Sequence, residues 1–207
     1  MKKMMFNEKY GLQRAVLSRT KTKTRRDGKK VEKQYAFYVV ANEMKGKEDY
    51  LSLEEFAISK SPYKVGDIVA IQQSYKELLE EEYMPTSIEN EVIRMVEQNH
   101  IGCTNKMYVK AELMPHHVRI TEVRFEQLKC ISDEECLEEG IYRRDDMINS
   151  NMEDVVRYTF ENCFERGVFK TYSTPRDAFA SLIDKISGKG TWEKNEYVYV
   201  YGIERVD

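Results

Sequence analysis

Cysteine is scarce in this chain of 207 residues. Cys103, Cys130, Cys136 and Cys163 are the four, and no two of them form a C-x-x-C pair. Ligand spacing of the zinc-knuckle type is therefore missing, and a mixed set of Cys103, His116, His117 and Cys130 is a poorer reading than ordinary buried thiols and surface imidazoles. No metal or cofactor is expected. Apolar runs of 18 residues are absent too, and nothing at the amino terminus resembles a signal peptide, so the expectation is a cytoplasmic protein with free thiols and no membrane partner. With no Gly-Ser linker, repeat or low-complexity tract to divide it, the chain reads as one domain, 1–207, long enough to bury about 70 per cent of its unfolded surface.

Excess charge of one sign is also missing overall. The formal net charge of -3 argues against a protein that coats nucleic acid indiscriminately. Its distribution is uneven, however: residues 1–33 hold twelve Lys or Arg against three acids, a net of +9, and the rest of the chain is net -12. A basic patch on an acidic body steers an anion to one place, and a screening length of about 8 to 10 Å keeps the effect local. That favours a defined nucleotide or oligonucleotide site over a long groove.

What is there in abundance is one polar strip, Arg19-Thr20-Lys21-Thr22-Lys23-Thr24-Arg25-Arg26, with five cations, three hydroxyls and no apolar side chain. It is either a solvated turn or a site for phosphate or carbonyl oxygens, because guanidinium and hydroxyl groups offer charge together with short directional donors. In an ideal strand Lys21, Lys23 and Arg25 would face one way and Thr22, Thr24 and Arg26 the other, so Lys21 and Thr24 can share a face only across a turn or bulge.

Around the strip the pattern predicts mixed elements. Met4–Phe6 reads as a short strand and Tyr10–Ser18 as an amphipathic helix. Residues 26–30 read as a turn, and Tyr35–Val40, aromatic and β-branched, as a strand. Ser52-x-x-Glu55 opens a helix that ends before Pro62, and Ile68–Ile71 reads as a central strand after Gly66-Asp67. Acids dominate from Tyr75 to about His100, where Thr86 or Ser87 caps a helix with Ile88, Val92, Met95 and Val96 on one side. Val118–Leu128 reads as a strand with a bulge, and Ser132–Glu139 as a helix opened by a capping box and stopped by Gly140. Helices are predicted from about Met152 to Phe164 and from Pro175, capped by Thr174, to Gly188; Tyr197–Tyr201 reads as the closing strand.

Lys21-x-x-Thr24-x-Arg26 resembles the Gly-x-Lys-x-x-Thr-x-Arg signature of the ASCH family, relatives of the PUA-like RNA-binding barrels. Four further stretches, in order, resemble ASCH-type proteins of phages and prophages: Lys64–Val69, Met114–Thr121, Ile131–Ile141 and Ile186–Asn195. The resemblance implies an α+β fold, a small PUA-like β-barrel with surrounding helices, and about 75–105 as a helical insertion against it. It implies that Lys21, Thr24 and Arg26 point into the barrel's pocket. Some family members are amidohydrolases of acylated cytidine that use the motif lysine and threonine with a later glutamate, which here maps onto Glu139. In that chemistry the Thr24 hydroxyl attacks, Lys21, deprotonated more easily beside Arg26, takes the proton, and Glu139 returns it to the leaving amine. If Lys21 stays charged the site only binds.

The binding reading places Lys21, Arg25 and Arg26 on phosphates and Thr24 on a base or sugar edge, with His116 and Arg119 as further donors. Tyr75 and Trp192 are candidate stacking rings, each otherwise a core residue, and Asn195 either bonds ligand or shapes a turn. Three departures bear on the transfer. Arg19 stands at the family glycine, Gln72-Gln73 where Arg-Glu is common, and His116 where arginine is usual. The sequence thus supports binding of RNA or a modified nucleotide, with two alternatives: a metal-independent amidohydrolase, or a phage-derived interaction module using the acidic 77–97 helix.

Overall fold

In the computed structural model, which describes residues 1–47, 49–81, 84–148, 154–165 and 167–207, the chain is a mixed α+β protein. Strand β1 (Lys2–Met5) leads through a 3-10 turn to α1 (Leu12–Leu17) and β2 (Lys23–Asp27). Helices α2 (Lys29–Glu43) and α3 (Leu53–Lys60) precede β3 (Ile68–Gln72), and α4 (Tyr75–Leu79) and α5 (Thr86–Glu97) precede β4 (His117–Gln127). Next come α6 (Asp133–Glu138), β5 (Tyr142–Ile148), β6 (Asp154–Thr159) and a two-stranded ribbon of β7 (Phe164–Glu165) and β8 (Val168–Phe169). The chain ends with α7 (Pro175–Ser187), α8 (Thr191–Lys194) and β9 (Tyr197–Arg205). No helix among the described residues is long and apolar enough to cross a membrane.

The main sheet has five strands in the order β1-β3-β4-β9-β2, parallel between β1 and β3 and antiparallel elsewhere. Its central strands carry the apolar runs, because a strand covered on both faces cannot afford polar side chains on either. Val69, Ile71, Val118, Ile120, Tyr199 and Tyr201 are all buried. The expected break in β4 is present as a bulge between Ile120 and Glu122. Among the described residues the sheet is open, with β1 and β2 as edges; β9 lies between β4 and β2. It nevertheless curls, since Nη2 of Arg26 on one edge donates to Met5 O on the other at 2.6 Å.

A second apolar cluster joins Ala70 on β3 to Tyr75 and Leu78 of α4, Val92 and Met95 of α5, and residues 103–114 beyond them. The apolar face of α5 is thus taken up inside the molecule. Its N-cap is Pro85, one or two residues before the expected Thr86 or Ser87, and offers no side-chain bond.

Capping chemistry places three other helices. Ser52 and Glu55 form a complete capping box at α3, and Thr174 accepts from Asp177 N at the head of α7 with Pro175 at its first position. At α6 the box is only half made. Ser132 accepts from Glu135 N at 3.2 Å, but the Glu135 carboxylate is turned away toward cations.

Three expectations are corrected. Residues 35–40 lie in α2, where Val31, Tyr35, Tyr38 and Asn42 recur at helical spacing and Tyr38 packs on Phe56 with ring centroids 4.7 Å apart. The turn expected over 26–30 shrinks to Gly28, where a Cβ would lie 2.5 Å from the Phe125 ring and 2.8 Å from Tyr197 O. The helix expected from Met152 to Phe164 is a strand over Asp154–Thr159, paired with β5; Met152 itself lies outside the described residues. Its β-branched and aromatic residues, Val155, Val156, Tyr158 and Thr159, suit a pleated surface, and Asn162 at φ 54° ends the run.

Candidate functional site

The polar strip is not one regular element. Arg19 has φ 64°, the left-handed backbone that favours glycine, and Thr20 and Lys21 donate their N–H groups to Ala15 O at 2.9 Å, so strand β2 begins only at Lys23. The turn that lets Lys21 and Thr24 share a face is therefore built before the strand. Both line one cavity of about 90 Å³, with Arg25, Arg26 and Glu139. Its apolar walls are Phe6 and Leu12 on one side and Phe179, Leu182 and Ile183 of α7 on the other. The cavity sits where the two edges of the curled sheet approach.

Glu139 reaches the cavity because α6 ends there. Gly140 takes φ 105°, where a Cβ would lie 2.9 Å from Leu12 Cδ2, and this turn brings both the carboxylate and the carbonyl of Glu139 to Lys21. Lys21 Nζ donates to Glu139 Oε2 at 2.6 Å, to Glu139 O at 2.8 Å and to Lys23 O at 2.7 Å. The side chains of this pair are 1% and 6% exposed. Burial pulls the Lys21 pKa below the ordinary lysine value, while the Glu139 carboxylate opposes that shift. Three acceptors around one nitrogen fit the three donors of an ammonium and leave no direction for an amine lone pair. The form held is the charged one.

Arg25 is tied still more heavily. Nη1 donates to Glu139 Oε1 at 3.1 Å, and Nη2 to Glu126 Oε1 at 2.8 Å and Glu135 Oε2 at 2.5 Å. Burial by itself would lower the Arg25 pKa, but Glu139, Glu135 and Glu126 together raise it. Glu135 also accepts from Lys23 at 2.9 Å and from Arg124. Burial would raise the pKa of Glu135, yet these cations hold it down at about 2. Most of the strip's charge is thus cancelled inside the protein. Glu135 and Glu126 were not foreseen as part of the site, and only the clustering of acids after Val123 could have pointed to them.

Arg26 differs. Among the described residues no carboxylate lies within 4.0 Å of its guanidinium, which rests 5.2 Å from the Phe6 ring centroid and whose burial lowers its pKa. Nε of Arg26 and Nε of Arg25 are buried and make no hydrogen bond among the described residues. Both arginines line the cavity and a second groove of about 180 Å³ that runs on past Lys29, Leu128, Thr191 and Tyr197. The Thr24 hydroxyl makes no hydrogen bond among the described residues, although Thr24 is 4% exposed.

The other sequence candidates lie elsewhere. Tyr75 is fully buried in the second cluster, where its hydroxyl accepts from Lys110 N at 2.9 Å, so no ring face is free for stacking. His116 stands between Glu81 and Arg205, each at 3.0 Å, and Gln73 meets it at Glu81, which makes these two departures parts of one separate polar cluster. Arg119 is exposed on β4, 3.9 Å from Glu204. Trp192 packs edge-on to Phe179, with Lys129 and Arg176 over its ring. Asn195, at φ 49°, accepts from Lys129 N at 2.7 Å and so shapes the turn before β9. Cys103 is buried and donates to Met95 O, and Cys130 is exposed.

Neither protein-family models, nor curated protein sequences, nor solved structures give a match to this chain.

Proposed function

We propose that the chain binds a modified nucleoside or nucleotide, free or at the end of an RNA, in the cavity between the sheet edges and α7. The observation that carries this reading is the pair of buried, unpartnered Nε donors of Arg25 and Arg26 beside a cavity with apolar walls. A buried donor without an acceptor costs about 1 to 3 kcal/mol, and a small shift of the two side chains that turns these donors to a carbonyl or ring nitrogen of a bound base recovers it. Apolar side chains flank the ligand's plane, and Thr24 supplies a hydroxyl that can donate or accept. A cavity of this size suits a base better than a phosphate chain, because Lys21, Lys23 and Arg25 are already neutralised by glutamates. The sheet is not a closed barrel among the described residues, and it is the resemblance of Lys21-x-x-Thr24-x-Arg26 to the ASCH signature that suggests RNA chemistry as the source of the ligand.

The test is calorimetric titration with a nucleoside panel that includes N4-acylated cytidines, using the wild type and Arg26→Ala and Thr24→Val. Binding that both substitutions weaken at least tenfold is expected; nucleoside binding indifferent to both would dispose of the cavity as the site.

One observation favours the hydrolytic alternative. Thr24 has an unengaged hydroxyl in the same cavity as Lys21 and Glu139. For Lys21 to act as base it must first lose a proton from an ammonium with three acceptors, which makes binding the better-supported reading. Mass spectrometry of N4-acylated cytidines incubated with the protein in chelator decides between them: deacylation that Lys21→Ala and Thr24→Ala each abolish establishes the hydrolase.

A further inference from the structure

Of the twelve cations in residues 1–33, six have a side-chain carboxylate within 4.0 Å among the described residues: Lys2, Arg14, Lys21, Lys23, Arg25 and Lys29. Among the described residues, three of the other six follow one another from the cavity outward. They are Arg26 at its wall and Lys30 and Lys33 on the first turns of α2. Beside the groove, Lys30 and Lys33 of α2 are therefore open to an external anion, whereas Lys21, Lys23 and Arg25 of the strip are already paired.

Helix α2 also exposes an unusual face. Lys30, Lys33, Phe37, Val40 and Met44 are spaced three and four residues apart, which puts them on one side of the helix, and all are exposed. Phe37 is 79% exposed. The packing is done by the opposite side, through Val31, Tyr35 and Tyr38. At the amino-terminal end the free face begins beside Lys29, which lines the groove leading out of the cavity past Arg26.

We propose that α2 is an extension of the binding site for single-stranded RNA, whose phosphates lie against Lys30 and Lys33 and one of whose bases stacks on Phe37. This rests on the nucleoside reading of the cavity, which would hold the terminal or splayed-out residue of the same strand. Ammonium groups attract phosphate without regard to sequence, and an exposed aromatic ring stacks any base. The order of the groups, cations next to the groove and the ring beyond them, favours a strand that leaves the cavity. A second copy of the chain would need only the apolar end, Phe37, Val40 and Met44.

Fluorescence anisotropy with a short labelled single-stranded RNA tests this, alongside calorimetry with the free nucleoside, for Lys30→Glu/Lys33→Glu and for Phe37→Ser. Circular dichroism checks the fold, which these exposed positions leave intact. The expected result is RNA affinity weakened roughly tenfold or more by each variant, with nucleoside affinity unchanged. The lysine variant should also show a salt slope smaller by about 0.7 for each phosphate it no longer neutralises. RNA affinity unaltered in both variants overturns the inference and leaves the cavity reading standing if the nucleoside still binds. Wild-type protein that binds nucleoside but no RNA also overturns it, and binding of neither overturns both. A dimer in sedimentation that Phe37→Ser dissolves, with RNA affinity intact, assigns the face to a second copy and overturns it as well.

Discussion

At the scale of single residues, the site is decided by which charges are already satisfied. Breaking a buried ion pair by removing one partner costs about 3 to 5 kcal/mol, because the other charge is left without compensation. Glu139→Gln should therefore lower unfolding free energy by roughly that much in urea denaturation, and Lys21→Met added to it should recover part of the loss. Glu135 supplies a pH test. Its folded pKa, about 2, lies below the ordinary 4.5, so its contribution is fully present above pH 4.5 and is lost as pH falls toward 2. Taken in full the shift would correspond to about 3 kcal/mol, which solvent screening of this partly exposed cluster reduces to about 1 to 2 kcal/mol, and Glu135→Gln should flatten the stability profile over that window. The motif residues Lys21, Thr24 and Arg26 were legible from their spacing. Their glutamate partners were not, since Glu126 and Glu135 stand more than 100 residues away and reach Arg25 only through folding.

At the scale of elements, local chemistry was legible where a side chain bonds its own backbone and illegible where packing decides. Ser52 and Thr174 marked α3 and α7 because capping is a matter of neighbours within three residues. Tyr35 to Val40 misled because aromatic and β-branched residues fit a strand, and only the packing of Tyr35 and Tyr38 on Phe56 makes them helical. Glu135 misled in the opposite way, as a perfect capping partner whose carboxylate finds stronger partners in three cations. The end of α6 is the element on which the site depends. Gly140 at φ 105° has Leu12 Cδ2 2.9 Å from where a Cβ would stand, so Gly140→Ala should cost about 1 to 2 kcal/mol from strain and crowding. The same change should displace Glu139 from Lys21. Thermal unfolding measures the first effect and nucleoside affinity the second.

At the scale of the whole molecule, the cavity lies in the gap of a sheet that curls without its edge strands pairing. The ends of β1 and β2 are joined across that gap by Arg26 alone among the hydrogen bonds of the described residues, so a ligand seated there touches both edges at once. The continuous apolar run of Ile68–Ile71 marked β3 as central, but the full order β1-β3-β4-β9-β2 could not be read from the sequence, because alternation in the other strands does not say which lies at an edge. The geometry nonetheless gives a global observable. A ligand that binds only the folded chain, present at 100 times its Kd, adds about 2.7 kcal/mol of stability. For a chain of 207 residues that corresponds to a rise in Tm of about 5 to 10 °C. Arg26→Ala should act twice, by lowering the Tm of the free protein through loss of the bond to Met5 O, and by removing most of the ligand-dependent rise. A rise of full size in Arg26→Ala would place the ligand outside the gap, because no molecule bound between the edges could be indifferent to the one side chain that spans them.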